Sequence, residues 1–467
     1  MYRLFTLPYL ENSQRYFERI RHFAAPVYLD SGKPLCPYGR YDIIAADPVA
    51  RLSFSEKLTT LIKPDSSEQL QGNPFSHLRA LYDSYQQHCP APEDDAIKAL
   101  PFCGGMIGYF AYDLGRSLEV MPEQTANDID LPDMQAAIYS WAIVTDHELQ
   151  QCYLVTTPLV SEPNADALAR QLQQAESESV SDTTKQLTEF RLSSAFTSNM
   201  SEQEYYASLD RISDYIQAGD CYQVNFAQRF TADCEGDPWQ AYSLLREHAP
   251  TPYSAYMETP QGAILSLSPE QFVEADNGKV TTKPIKGTRP RGDDPIADAQ
   301  LKLALHDSEK DRAENLMIVD LLRNDISKVC EHGSVRVPKL FAVESYANVH
   351  HLVSTVTGRL DAGKTPLDLL EHSFPGGSIT GAPKIRAMQI IEELEPHRRS
   401  IYCGSIGYLS FSGKMDSSIT IRTLLCQNGK IHCWAGGGII ADSETADEYQ
   451  ETYNKVNNLL KALEQTL

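Results

Sequence analysis

The stretch AIYSWAIVTDHELQQCYLVTT (137–157) decides the fold class, because it carries the β-branched and aromatic enrichment of strands. RYDIIAADPVARLSF (40–54) repeats that enrichment, so residues 1 to about 160 read as a compact α+β unit of many short strands. SEPNADALARQLQQAESESVSDTTKQ (161–186) breaks the pattern, being polar, acidic and short of aromatics. The segment 160–200 therefore reads as one exposed helix and a surface linker. It divides an N-terminal α+β region, 1–185, from a second domain, 186–467. A helix signal follows at once. Ser201 with Glu204 makes a capping box, Tyr205, Leu209, Ile212 and Ile216 repeat at helical spacing, and Gly219 sits where a C′ glycine belongs.

The chain has 467 residues, 42% hydrophobic and 22% charged, the composition of a globular protein with ample material for a core. At about 150 residues per domain its length is roughly three domain-sized units. Lys and Arg total 41 against 63 Asp and Glu, a net charge of −22. A nucleic-acid binder needs a basic footprint, so that class is excluded as a partner. An anionic substrate would have to enter a locally basic pocket against the global field. The ten cysteines form no Cys-x-x-Cys pair and no zinc spacing. The start, MYRLFTLPYLENSQRYFERI, has no signal core, and no apolar run approaches the roughly 18 residues of a membrane span. The expectation is a reduced, cytoplasmic protein, with no membrane partner and with cysteines as core packers.

From 201 onward the glycines cluster: PIKGTRPRG (284–292), FPGGSITGAPK (374–384), GSIGYLSFSG (404–413) and AGGGII (435–440). Two helices carry carboxylates among these clusters. In DRAENLMIVDLLRND (311–325) the stripe Ala313, Leu316, Met317 and Leu321 puts Glu314 near its edge. In ADEYQETYNKVNNLLKAL (446–463) the stripe is Tyr449, Tyr453, Val456, Leu460 and Leu463. Glu448 and Glu451 share a face there, with Lys455 one turn beyond. Such carboxylates, without histidine or thiolate, suit Mg²⁺; they equally suit a solvated face of ion pairs. Glu270, ending the buried strand in LSLSPEQFVEA (265–275), is a general acid or base if desolvation raises its pKa, or a turn glutamate in water. Lys283, Lys286, Arg289 and Arg291 make either an anion site or a mobile basic loop. Lys286, between Ile285 and Gly287, has an apolar flank that would lower its pKa and make it nucleophilic. FPGGSITGAPK reads as a glycine-rich turn feeding a helix with Lys384 in its first turn, a generic anion site without Walker or Rossmann spacing. His350 and His351 precede the strand LVSTVTG as polar tips. Arg422, inside the apolar strand SITIRTLL (418–425), needs a partner, either a substrate carboxylate or a protein acid.

The ordered set SPE, PIKGTRPRG, AENLMIVDLLRND, HHLVSTVTG, FPGGSITGAPK, IYCGSIGY, ITIRTLL, AGGGII and EYQETYNK resembles the chorismate-utilising enzymes. These include anthranilate, aminodeoxychorismate, isochorismate and salicylate synthases. The match is dense from about 200 to 467 and looser before it. It implies an α+β fold of two antiparallel β-sheets packed as a sandwich and flanked by helices, with N-terminal residues contributing to the same body. Anthranilate synthases usually carry Pro-Ile-Ala-Gly-Thr where this chain has Pro-Ile-Lys-Gly-Thr around Lys286, the pattern of the aminodeoxychorismate branch. That branch is a transferase which makes 4-amino-4-deoxychorismate from chorismate and ammonia, for p-aminobenzoate and folate. The alternatives are anthranilate synthase component I, or a catalytically dead subunit that binds chorismate or tryptophan.

The resemblance also assigns roles. Glu314 and Glu451 would bind Mg²⁺, which holds the C1 carboxylate, with Glu448 supporting through water. Tyr402, Arg422 and the backbone at Gly436 and Gly438 would hold carboxylate oxygens. Gly287, Thr288, Ser378 and Lys455 would complete the pocket, and His351 would lie beside the leaving group or ring. Lys286 would attack C2 while Glu270 protonates the departing C4 hydroxyl; ammonia would then expel Lys286. No Gly-x-Cys-x-Gly glutaminase motif occurs, so the resemblance implies a heterodimer with a glutamine amidotransferase subunit. Some relatives hold tryptophan in the N-terminal half. The matching positions are Ser31, Tyr38, Gly39, Arg40, Tyr41, Pro252, Tyr253 and Ser254. Tyr28-Leu29-Asp30-Ser31 replaces the anthranilate pattern Leu-Leu-Glu-Ser, which argues against feedback inhibition and for a structural ligand.

Overall fold

The computed structural model describes residues 1–36, 39–173, 188–345 and 349–467. The boundary expected at 185/186 lies outside these residues, as does 174–187 of the expected linker beyond the helix Glu162–Gln173. Residues 188–200 are not a surface linker, because Arg191–Leu192 and Thr197–Ser198 pair with Gln223–Glu235 and Phe190 and Leu192 are buried. Two antiparallel sheets form the body. The first, of 13 strands, runs from Arg3–Leu7 through Gln151–Thr156, Trp141–Asp146, Tyr41–Ala45 and Val27–Asp30 to Tyr253–Thr259 and Gly262–Ser268. It continues through Thr423–Gln427 and Lys430–Ile439 to the long strand Gln223–Glu235. Early and late segments thus pair directly, with Asp30 opposite Ser254. The second, of 12 strands, runs from Ser66–Gln71 through Met134–Tyr139, Gly105–Phe110, Ser405–Ser410 and Met415–Ile419 to Val349–Arg359 and Ile285–Pro290.

Alternation along the strands divides the core. In Trp141–Asp146, Ala142 and Val144 join the cluster shared with the second sheet, while Trp141 and Ile143 join a cluster on the opposite face. Gly262–Ser268 behaves alike, with Ile264 on one side and Ala263, Leu265 and Leu267 on the other. Helices Gln14–Ile20, Pro238–His248 and Thr445–Glu464 cover that outer face with Phe17, Trp239, Tyr242, Val456 and Leu460. The helix Glu202–Gln217 begins with both bonds of the Ser201–Glu204 capping box. All ten cysteines are free thiols, nine buried and Cys234 half-buried. No helix among the described residues is long and apolar enough to cross a membrane.

Several of the strand-rich runs change sheets midway. The 137–157 stretch passes from the second sheet to the first at Ser140, and 40–54 passes between them after Ala45. The chain crosses again at Pro269–Glu270 and at Thr420–Arg422. Arg422 is therefore not inside a strand, as its apolar neighbours suggest; it sits in the corner, in the left-handed region at φ 51°.

The aromatic layer conceals a buried ion pair. Arg246 reaches Asp30 at 2.5 Å with Tyr242 donating to the same carboxylate at 2.8 Å. Burial pushes the Asp30 carboxyl up, against the pull of Arg246. Removing one partner of such a pair leaves an uncompensated charge. Arg246→Met is expected to lose about 3–5 kcal/mol in urea denaturation, and adding Asp30→Asn should recover a large part of that loss.

Candidate active site

The corner at Pro269–Glu270 places Glu270 in the interior, 5% exposed. Its carboxyl is bonded by the Ser378 side chain and the Ile285 backbone. Burial raises its pKa, against the pull of Lys286 and these bonds. Lys286 stands on the strand Ile285–Pro290, which bulges between Ile285 and Thr288 where it pairs with Val349–Arg359. Gly287 occupies the bulge at φ +79°, and a Cβ there would come 2.8 Å from Asp311 Cγ, so the position takes no side chain. The Lys286 amine donates to the Ser378 carbonyl at 3.2 Å. Burial lowers its pKa, with Glu314 and Glu270 opposing. Ser378 lies on the short turn Gly377–Ile379, where Leu321 packs so close that a Cβ on Gly377 would meet it at 2.7 Å.

Two helices bring the carboxylates. In Glu309–Ser327 the buried residues are Asn315, Ile318, Val319, Leu322, Asp325 and Ile326, while Leu316 is 52% exposed. The expected stripe is thus rotated, because polar Asn315 and Asp325 face inward and are bonded there, to Ser354 at 2.5 Å and to Lys384 at 2.6 Å. Glu314 remains half-buried; burial raises its pKa, with Lys286 and Lys310 opposing. On Thr445–Glu464, Glu448 is buried and accepts from Ser443 Oγ at 2.7 Å. Burial raises its pKa too, aided by Glu451. Lys455 Nζ lies 2.5 Å from Glu451 and donates to the Gly436 carbonyl at 3.0 Å. Burial pushes Glu451 up, but Lys455 outweighs it and holds the carboxyl below its usual range.

Arg422 brings a guanidinium to the same end of the sheets. Burial alone lowers its pKa, and no hydrogen bond or ion pair holds its side chain among the described residues. His351 bonds Thr288 Oγ1 at 2.9 Å, and its pKa is pushed down to about 4 by burial and by Arg422. Arg422, His351 and Thr288 therefore form a second group beside the Glu270–Lys286–Ser378 group.

Other expected residues have partners elsewhere. Arg289 pairs with Asp311 at 2.8 Å and Arg291 with Asp298 at 2.6 Å, while His350 bonds Asp298 and Ser345. Lys384 is not a free anion donor; it ties Asp325 to the Ser373 carbonyl. Tyr402 is a core residue stacked on Trp434 with ring centroids 6.3 Å apart. At Gly438 a Cβ would strike Gln223 Nε2 at 2.3 Å. Gln223 itself was not legible: it is fully buried with neither amide atom bonded, yet in sequence it is one polar residue in a strand. Lys310 was also missed, although it lies one turn before Glu314; its amine is 4.0 Å from Glu448.

The carboxylates Glu314, Glu448 and Glu451 fit a hard cation that keeps open positions. No group of His, Cys, Asp or Glu among the described residues is compact enough to cage a metal alone. Gly437 instead leaves room beside them, since its Cβ would stand 3.0 Å from Glu448 Oε2 and 3.6 Å from Glu451 Oε1. Oxygen donors with unfilled positions are the setting of Mg²⁺, which retains waters and ligand oxygens.

A separate cavity of about 410 Å³ between the sheets gathers Ser31, Gly39, Arg40, Tyr41, Pro252, Tyr253 and Ser254. Tyr38 lies outside the described residues. Its wall includes Pro269 and Ile285, each adjacent in sequence to a residue of the first group.

Residues 25–461 match the family model described as chorismate binding enzyme. The chain is 48% identical over 460 residues to aminodeoxychorismate synthase component 1 of Salmonella typhimurium, which covers 98% of each chain. It is 41% identical to anthranilate synthase component 1 of Thermus thermophilus, over 83% of this chain and 82% of the other. The crystal structure of anthranilate synthase component I from Streptococcus pneumoniae superposes with a TM-score of 0.80 at 32% identity, covering 91% of this chain and 92% of that one. With the sandwich, the corner glutamate and a near-full-length match all in agreement, the chain belongs to the family of chorismate-binding enzymes.

Proposed function

We propose that this chain converts chorismate and ammonia to 4-amino-4-deoxychorismate, with Lys286 as a covalent nucleophile. The observation that carries the reading is the buried Lys286 amine, held within reach of Ser378 and beside Glu270. Burial favours its neutral form, the form that attacks. The amine nitrogen bonds to ring C2, both ring double bonds shift toward C4, and the C4–O bond breaks. Glu270, kept protonated by burial, delivers the proton that lets the hydroxyl leave as water. Ammonia then bonds to C4, both double bonds return, the C2–N bond breaks to release neutral Lys286, and the new ammonium gives a proton back to Glu270. The enolpyruvyl group is untouched throughout.

Arg422, left without a protein partner, would take a substrate carboxylate, with Thr288 and His351 beside it. Glu314 and Glu451, with Glu448 behind them, would hold Mg²⁺, which supplies positive charge for the other carboxylate. Ammonia would come from a glutamine amidotransferase subunit in a cytoplasmic heterodimer serving p-aminobenzoate and folate synthesis. The relative's designation as component 1 supports a second component. The cavity at Ser31 and Ser254 would hold tryptophan. Anthranilate synthesis is the second reading, favoured by the fold match and opposed by Lys286 and by the lower identity to that branch.

Three outcomes are expected. Supplied with chorismate, Mg²⁺ and ammonium salt, the chain should yield a non-fluorescent amine that retains the enolpyruvyl group; fluorescent anthranilate would establish the second reading. Lys286→Ala should lower that yield by about 10²–10⁴-fold, and intact-mass analysis without ammonia should show an adduct of chorismate less one water on the natural chain only. The pH profile of kcat/KM should be a bell. Its acid limb follows loss of the Lys286 proton, shifted down, and its alkaline limb follows loss of the Glu270 proton, shifted up. Glu270→Gln should abolish the alkaline limb along with most activity.

A further inference from the structure

A second cavity, of about 940 Å³, lies apart from the residues described above. It is bounded by the 117–131 segment, by the tip of the hairpin joining Ala50–Ser55 to Leu58–Lys63, and by Asp113, Asp133 and Arg398. The segment that roofs it is fixed. Glu392 accepts from the backbones of Gln124 and Thr125 at 2.7 and 3.0 Å, and Arg116 bonds both Glu392 and the Pro122 carbonyl.

Half of the charges lining this space are already matched. Asp113 pairs with Arg116 at 3.0 Å, Glu123 with Lys57 at 3.3 Å, and Asp128 with Arg229 at 2.6 Å. Of those without an ion pair among the described residues, Glu56, Glu119 and Asp130 are exposed, whereas Asp133 and Arg398 are half-buried. No hydrogen bond or ion pair holds the Asp133 carboxyl among the described residues, and burial pushes its pKa up to about 7, with Asp113 adding and Arg398 opposing. The Arg398 Nε is buried without a partner. The two are near enough to interact, yet no ion pair joins them. The fully buried Tyr109 hydroxyl is also unbonded, and Asp133 adds to the rise in its pKa.

Buried polar groups in folded proteins are nearly always bonded, so the Arg398 Nε in this lining marks a missing partner, with the unpaired, half-buried Asp133 carboxyl near it. Opposite charges held apart in one cavity complement a zwitterion. Beyond them the lining turns apolar at Leu118, Met121 and Ile129. The rim adds Glu119 and Asp130, which have no ion-pair partner among the described residues and favour a second positive charge.

We propose that this cavity binds a free α-amino acid with a basic side chain. Its α-ammonium meets Asp133, its α-carboxylate meets Arg398, its stem lies along Leu118 and Met121, and its distal cation meets the acidic rim. This site is independent of the chorismate reading.

Isothermal titration of the full chain with L-lysine, cadaverine and L-norleucine tests it, since cadaverine lacks the carboxylate and norleucine the distal cation. L-lysine should bind most tightly, and Asp133→Asn should weaken it at least tenfold without lowering the melting temperature. The advantage of L-lysine over cadaverine should vanish in Arg398→Gln. Ser117→Trp, which fills the cavity from its roof and leaves both charged groups in place, should abolish binding. Absence of L-lysine binding to the natural chain would overturn the proposal and leave water as the partner of these groups. Binding that survives both Asp133→Asn and Ser117→Trp would overturn it as well, by placing the ligand elsewhere.

Discussion

Two corners where strands leave one sheet for the other are bonded to each other, and the placement of the site depends on that bond. Ile419 N–H donates to the Glu270 carbonyl at 3.1 Å, Ser268 Oγ donates to the Ile419 carbonyl at 2.5 Å, and Leu267 N–H donates to the Arg422 carbonyl at 3.0 Å. A chain that turns between sheets takes its backbone groups out of one ladder before they enter the next. Each corner here satisfies the other's. The arrangement tolerates Arg422 in the left-handed region, a conformation that costs a non-glycine residue about 1–2 kcal/mol. The return is positional: Glu270 and Arg422 project from backbone held on both sides by sheet.

Around these corners charge is balanced almost internally. Glu270, Glu314, Glu448 and Glu451 face Lys286, Lys310 and Lys455, and each group's pKa direction reflects burial set against these neighbours. Burial of isolated charges would be prohibitive, so the acids and lysines permit one another. Arg422 stands outside the balance. Its guanidinium is a buried positive charge, without a partner among the described residues, in a protein whose net charge is −22.

Local patterns were legible wherever local physics decides. The Ser201 capping box, the stripe of the last helix at Val456, Leu460 and Leu463, and the strand content of 137–157 all have their determinants within a few residues. The sheet changes at Ser140 and Thr420–Arg422 were not legible, because a strand buried on both faces keeps the same apolar composition before and after it changes sheets. The helix Glu309–Ser327 was misread for a related reason. Its inward polar residues, Asn315 and Asp325, are paid for by Ser354 and Lys384, partners distant in sequence. Site residues such as Gln223, whose meaning lies only in what stands opposite, leave no trace in a single sequence.

Strand alternation also links the cavity at Ser31 to the catalytic strands. Successive residues of a strand point to opposite faces. Ile285 lines the cavity, whereas its strand neighbour Lys286 belongs to the buried acid–lysine group; Pro269 lines it from the corner, next to Glu270 of the same group. A molecule filling the cavity therefore packs beside the segments that carry Glu270 and Lys286. Any preference it has for one position of those segments becomes, by reciprocity, a change in substrate affinity of equal free energy. The bulge at Gly287 sits just beyond Ile285, where the ladder to Val349–Arg359 is interrupted. The contact at Ile285 thus lies one residue removed from the buried Lys286 amine.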